Sequence, residues 1–94
     1  MKIGFDPQKN AKTIRERGLA FEDVVLLRWD RAIIKPDTRK EYGEKRLTAY
    51  LPDRAGRLFV VCFTMREDKT FWIISFRKAN AREVKGYVEK ITHG

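Results

Sequence analysis

Two cations close the last apolar run of the chain, within the segment FWIISFRKANAREVKGY at residues 71–87. Only Ala79 separates Arg77 and Lys78 from Asn80, where a helix is predicted to begin. A helix N-terminus favours anions, a guanidinium group donates paired hydrogen bonds to phosphate, and an ammonium group adds a point charge. The two cations therefore mark either the rim of an anion site or a solvated strand end.

Few residues are suited to moving protons. Glu83 could act as a base, and Lys78 or Tyr87 could supply a proton. Glu83 and Tyr87 also have structural interpretations, because Glu83 completes a capping box with Asn80 and Tyr87 belongs to an apolar stripe. The only histidine, His93, is next to the C-terminal residue, where chains fray, so no catalytic role is expected of it. The sequence has no Cys/His cluster, glycine-rich phosphate loop or plausible serine–histidine pair.

The charge balance indicates a polyanionic partner. The 94 residues include 21 Lys and Arg against 13 Asp and Glu, a net charge of +8 that favours RNA, DNA, an acidic membrane surface or an acidic protein. The length predicts one domain over residues 1–94. No segment approaches the ~20 apolar residues of a membrane span. Cys62, the single cysteine, is predicted to be buried, allows no internal disulfide and fits a reducing cytoplasm.

Hydrophobic periodicity predicts an α+β fold: two N-terminal helices, an antiparallel meander of three to four strands, and a C-terminal helix packed on the sheet. IGFD is a short strand at most, and Asp6-Pro7 begins the first helix, which Gly18 ends. The second helix is predicted in LAFEDVVLLRW, and the strands in RAIIKP, KRLTAYL, RLFVVCFTM and TFWIISF. The last helix carries an apolar stripe at Val84, Tyr87, Val88 and Ile91.

Strand alternation brings further cations to the polar face of this sheet. Arg46 alternates with apolar residues, and Arg77 is predicted to lie on the same face, so the two guanidinium groups are expected to converge on one anion-sized hollow. Phe71, Ile73 and Ser75 should share the face of Arg77, while Trp72, Ile74 and Phe76 should face the core. Trp29 is also predicted to lie in the hydrophobic core. The RNA-binding candidates are Arg66, Lys69, Lys45 and Arg57.

Several of these motifs resemble those of the BrnT toxins, the toxin half of a bacterial type II toxin–antitoxin pair. The resemblance lies in the opening FDPQKNAKTIRERGLAFEDV, in GEKRLTAYL, in GRLFVVCFTMRED and in the closing WIISFRKANAREVKGY, in order and with similar spacing. Three departures stand out: Arg17 replaces a frequent His, Ala20 replaces a capping Ser, and Tyr50-Leu51 replaces a common Ile-Gly pair.

The resemblance implies a RelE-like fold and metal-independent, cofactor-free RNA cleavage that arrests translation in the cytoplasm. It also implies neutralisation by a BrnA-like ribbon-helix-helix antitoxin, with DNA bound only through the antitoxin complex. Arg46 and Arg77 would then stabilise the charged transition state of phosphate-ester cleavage. The residues alone leave two alternatives open, a non-enzymatic nucleic-acid-binding protein and a partner-binding module.

Overall fold

The computed structural model describes residues 1–94 as one five-stranded sheet with two α-helices. Two 3₁₀ segments, Phe21–Leu26 and Trp29–Arg31, join the first helix to the second strand. The other elements, in chain order, are β1 (Ile3–Phe5), α1 (Pro7–Arg17), β2 (Ile33–Pro36), β3 (Leu47–Pro52), β4 (Leu58–Met65), β5 (Phe71–Lys78) and α2 (Ala81–His93).

The sheet confirms the predicted meander and adds one strand to it. Its order is β1-β5-β4-β3-β2, with antiparallel pairing from β2 to β5 and β1 parallel to β5. The prediction of three to four strands was therefore wrong, since the short IGF segment pairs along β5 over Ile3–Phe5. β4 is central and almost wholly buried, including Cys62, as its apolar sequence predicted.

Only one of the two predicted N-terminal helices is an α-helix. Asp6 caps α1 by accepting a hydrogen bond from Gln8 N, and Gly18 ends α1 in the left-handed conformation at φ 69°. The second predicted helix is instead the six-residue 3₁₀ segment Phe21–Leu26. Ala20 offers no side-chain cap there, and the chain is already extended at Leu27, so an α-helix has neither a start signal nor the length to form.

The core lies between one face of the sheet and the segment that connects α1 to β2. Phe21, Val24 and Leu27 pack there, with Trp29 partly buried beside them as predicted. The sheet contributes Ala49, Leu51, Phe59, Val61, Phe63, Ile73 and Phe76. We call this side of the sheet the core face and the opposite side the outer face.

A β-bulge in β5 changes which residues face the core. Cys62 pairs with Ser75 but Phe63 pairs with Ile73, so Ile74 is an extra residue in β5. Ile73 and Phe76 therefore both lie in the core cluster, with Phe71 packed against it. The predicted faces of Phe71, Ile73 and Trp72 were wrong, because strict alternation cannot anticipate an inserted residue. The predicted face of Arg77, opposite Phe76, was correct.

Trp72 lies on the outer face, next to β1. Its ring stacks beneath the guanidinium group of Arg66, 4.6 Å from the ring centroid, and it covers Gly4 of β1. A Cβ atom at Gly4 would come within 2.9 Å of Trp72 Cε3, so any larger residue must displace the indole ring.

Replacing Gly4 with alanine is therefore expected to lower the free energy of unfolding by about 1–3 kcal/mol through overpacking. Thermal unfolding measures the change. Gly86→Ala in α2 is the matched control, because its Cβ meets nothing within 4 Å. That control should stabilise the protein by about 0.5–1 kcal/mol, since Gly is costly inside a helix. A Gly4→Ala protein as stable as the wild type would contradict the close packing of Trp72 on β1.

α2 contacts the sheet through the ion pair of Glu83 with Arg77 of β5 rather than through its valine and isoleucine side chains. Asn80 accepts a hydrogen bond from Glu83 N and Glu83 accepts one from Asn80 N, which confirms the predicted capping box. The helix therefore lies on the sheet as predicted, although Val84, Val88 and Ile91 of its apolar stripe remain 40%, 49% and 56% exposed. Neither helix is long and apolar enough to cross a lipid bilayer.

Candidate active site

A hollow of about 370 Å³ opens on the outer face, between the start of α2 and the loop that follows β2. Residues of β2, β3, β4, β5, α2 and the loop line it. Its cations are Lys35, Arg39 and Arg77, its hydroxyl groups include those of Thr48 and Ser75, and its carboxylates are Asp37 and Glu83. A hollow with several donors from separate segments is suited to an anion such as phosphate.

Arg77 reaches the hollow from β5 and is held by α2. Its two terminal nitrogens donate to the two carboxylate oxygens of Glu83, each at 2.8 Å, and one of them also lies 3.3 Å from Lys78 O. The Arg77 hydrogen bonds lower the pKa of Glu83 despite partial burial, and the same bonds raise the pKa of Arg77. Glu83 is thus a fixed anion that orients Arg77, and its lowered pKa makes it a weak proton acceptor.

Arg39 reaches the same hollow from the loop and is held by a buried carboxylate. Asp37, whose side chain is 2% exposed, accepts hydrogen bonds from Arg39 Nε at 2.9 Å and Nη2 at 2.8 Å. The hydroxyl group of Tyr42 lies 3.3 Å from Asp37 as a further donor. The Arg39 hydrogen bond is the main cause that holds the pKa of Asp37 well below its usual range. Asp37 therefore remains ionised and fixes the loop and its arginine together.

Arg46 lies near this hollow but does not line it. Its guanidinium group stacks on the ring of Tyr42, 4.0 Å from the centroid, and its Nε is 3.4 Å from Glu44. It lines a neighbouring hollow of about 480 Å³ within the loop. Both Arg46 and Arg39 lie close enough to Cys62 to lower its pKa, although burial raises that pKa overall. The prediction that Arg46 and Arg77 converge on one hollow was therefore wrong. Arg39 shares the hollow with Arg77, and Arg46 lines the neighbouring one.

The sequence also proposed Lys78, Glu83 and Tyr87 as catalytic residues, and only Glu83 of these lines the hollow. Lys78 is exposed and pairs with Phe59, which places it on the opposite face from Arg77. Tyr87 donates its hydroxyl group to Arg31 O at 2.7 Å and lines a separate cleft beside α2. Lys78 and Tyr87 therefore do not line the hollow, whereas Glu83 and Arg77 do.

The RNA-binding candidates do not form one patch with Arg77. Arg66 and Lys69 flank the turn between β4 and β5, at the far end of β5 from Arg77. Phe71 and Arg77 are six positions apart along β5, roughly 20 Å, so Arg66 and Lys69 lie too far from Arg77 to bind the same phosphate. Lys45 lines a hollow with Arg66 at that far end, and Arg57 precedes β4 at the α2 end.

Sequence reasoning missed several polar residues that line the hollow, among them Lys35, Asp37, Arg39 and Tyr50. Lys35 and Tyr50 had a usable signal, because both lie on strands, and Lys35 pairs with Thr48 on the outer face. Arg39 had only its Asp37-x-Arg39 spacing within a polar loop, a weak indication of a turn. Arg17, where the resembled pattern often has His, donates to Phe76 O at 3.0 Å and lies outside the hollow.

Comparisons with known proteins agree with the geometry of this fold. A family described as "Ribonuclease toxin, BrnT, of type II toxin-antitoxin system" matches residues 5–83. Among solved structures, the chain is similar to the crystal structure of the ribonuclease toxin BrnT of Brucella abortus, at 26% sequence identity. The TM-score is 0.68, and the match covers 85% of this chain and 97% of that one. No curated protein sequence matches the chain.

Proposed function

Since the chain belongs to the BrnT family of ribonuclease toxins of type II toxin–antitoxin systems, we propose that it is a metal-independent endoribonuclease of RelE-like architecture. The scissile phosphate would occupy the hollow between Arg39 and Arg77. The observation that carries the proposal is the approach of these two guanidinium groups to one hollow, each held by its own carboxylate. Preorganised donors of this kind stabilise charge that develops in a transition state.

RNA supplies its own nucleophile for this reaction, the 2′-hydroxyl group beside the phosphate. The enzyme must orient that hydroxyl group, stabilise the extra charge on the pentacoordinate phosphorus, and allow the leaving oxygen to be protonated. Arg77 has five N–H donors, and its bonds to Glu83 and Lys78 O use three of them, so two remain for phosphate oxygens. Arg39 would approach the same phosphate from the loop.

Proton transfer has fewer candidates than charge stabilisation. Glu83 was expected to act as the base, but we assign it mainly to orienting Arg77, because its pKa is lowered by that contact. Lys35, which lines the hollow, is a candidate proton donor for the leaving oxygen, in place of Lys78. Arg46, which stacks on the ring of Tyr42, would bind a neighbouring phosphate of the RNA strand. Electrostatic stabilisation therefore carries most of the proposed rate enhancement.

The direct test is cleavage of single-stranded RNA by the purified protein in excess EDTA. We expect internal cleavage that leaves a 2′,3′-cyclic phosphate, because the 2′-hydroxyl group is the nucleophile. A single 2′-deoxy nucleotide at the cleaved position should abolish that product. Activity that appears only when Mg²⁺ is restored, or that continues at the 2′-deoxy position, would refute the metal-independent mechanism.

The family also implies an antitoxin partner and an RNA substrate. We propose that the antitoxin is a BrnA-like ribbon-helix-helix protein, that DNA is bound only through the complex, and that the toxin acts in the cytoplasm. The net charge of +8 supports a partner with acidic surface. Co-expression with a ribbon-helix-helix protein encoded beside the toxin gene should restore growth and co-purify the two proteins, and the absence of any small neighbouring gene would contradict this proposal.

A further inference from the structure

A second cleft, of about 220 Å³, lies between α2 and the edge of the sheet. We call it the α2 cleft. It shares Lys35, Tyr50 and Glu83 with the hollow that contains Arg77, so the two adjoin each other with Tyr50 in the common wall. The α2 cleft also contains Gly86 and Tyr87, with Ile33 at the sheet edge. A ligand held in one site can therefore extend directly into the other.

The lining of the α2 cleft suits a flat aromatic group. Tyr87 is fixed by the 2.7 Å hydrogen bond from its hydroxyl group to Arg31 O. Tyr50 presents its ring beneath the ammonium group of Lys35, 5.8 Å from the centroid. Ile33 pairs with Tyr50 on the same face of the sheet. Rings held on strand and helix offer stacking surface that every nucleobase can use.

Gly86 keeps this cleft open. It lies inside α2, where glycine is unfavourable, yet a Cβ at this position would meet nothing within 4 Å. The missing side chain therefore leaves space that a longer residue would occupy. Arg82 and Lys90, which also line the cleft, place two cations beside that space, suited to the phosphates on either side of a base.

We propose that the α2 cleft binds a nucleobase of single-stranded RNA, next to the nucleotide whose phosphate enters the Arg39–Arg77 hollow. This proposal rests on the proposed function, since the adjoining phosphate site defines where the base belongs. The shared wall at Tyr50 connects the two, so the cleft determines which neighbouring nucleotide is held during cleavage. The bound base contributes affinity and position, while the reacting groups remain in the hollow.

The test uses Gly86→Leu, whose side chain fills the cleft, and Val88→Leu, which adds a leucine on the exposed side of α2, outside both sites. Binding of the purified proteins is measured to a short, non-cleavable 2′-O-methyl RNA and to a series of the same RNA in which each strand lacks one base.

The wild type should bind one of these abasic strands more weakly than the intact strand. Gly86→Leu should bind the intact strand about tenfold more weakly and be indifferent to that abasic position. Val88→Leu should behave as wild type, and thermal unfolding confirms that each variant is folded.

Failure of the subsite and failure of the nuclease give different results. Wild-type protein that shows the abasic preference but cleaves no RNA would refute the proposed function and leave the subsite standing. Equal binding by wild type and Gly86→Leu would overturn the subsite, even if both cleave RNA. A Gly86→Leu variant that alters only neutralisation by the antitoxin would also overturn the subsite, because the cleft would then bind the protein partner and not RNA. Absence of any oligonucleotide binding would also overturn it.

Discussion

Replacing Arg77 with alanine is expected to reduce RNA cleavage about 100- to 1,000-fold, the usual loss when one preorganised donor to a developing charge is removed. Arg77 lines the hollow and retains donors that Glu83 does not use. Rates of cleavage of a single-stranded RNA by purified wild type and variant measure the effect. Arg77→Lys should recover only part of the activity, because an ammonium group cannot make the paired hydrogen bonds of a guanidinium group.

Arg54→Ala is the control for loss of one positive charge. Arg54 is exposed in the turn between β3 and β4 and lines neither the hollow nor the α2 cleft. The Arg54→Ala variant should cleave RNA at the rate of the wild type. Thermal unfolding separates a catalytic from a structural loss, since Glu83 keeps its capping bond with Asn80 N when Arg77 is absent. Equal growth arrest and RNA decay by Arg77→Ala and wild type would remove Arg77 from the mechanism.

Replacing Asp37 with asparagine is expected to have the second-largest effect, a loss of cleavage of about 100-fold through misplacement of Arg39. Asparagine presents an amide N–H₂ where the guanidinium group of Arg39 and the hydroxyl group of Tyr42 both donate to a carboxylate. The substitution also removes the charge that holds Arg39, whose side chain is 77% exposed, so the guanidinium group can turn away from the hollow into solvent. The loop that carries Arg39 should loosen, which rapid proteolysis between residues 37 and 46 would report.

The chain provides a matched control for this substitution. Asp30 accepts paired hydrogen bonds from Arg28 at 3.2 and 2.9 Å, with the same two-residue spacing as Asp37 and Arg39. Asp30 is, however, 64% exposed, so water replaces its partner easily. Asp30→Asn should leave both cleavage and thermal unfolding nearly unchanged. If Asp37→Asn were equally silent, the ion pair between Asp37 and Arg39 would have no role in positioning Arg39.

The stability effect of Asp37→Asn should depend on pH. Because the pKa of Asp37 is lowered in the folded protein, its ionised form stabilises the fold above the usual Asp pKa of about 3.9. That contribution is lost as the pH falls below this value towards the folded-state pKa. The stability difference between wild type and Asp37→Asn should thus be constant near neutral pH and shrink below about pH 4. Thermal unfolding at several pH values measures it, and a difference that grows on acidification would contradict the assigned sign.

Local patterns in the sequence were sufficient for much of the fold. The start and end of α1 follow from Asp6 and Gly18, and the start of α2 from Asn80 and Glu83, because caps depend on residues within one turn. The central position of β4 follows from its unbroken apolar run. The placement of Arg77 at a strand end beside a helix start follows in the same way. Each is a consequence of contacts between residues close in the chain.

Tertiary structure decided which of these residues meet. The bulge at Ile74 depends on pairing between β4 and β5, so it reassigned Trp72 to the outer face without any local signal. Arg39, not Arg46, shares the hollow with Arg77, because the buried carboxylate of Asp37 folds the loop over Cys62. Val84, Val88 and Ile91 of the apolar stripe stay exposed, since the contacts of Glu83 and Tyr87 determine how the helix lies. Register, loop conformation and helix placement arise from contacts between distant segments, which periodicity along one segment does not contain.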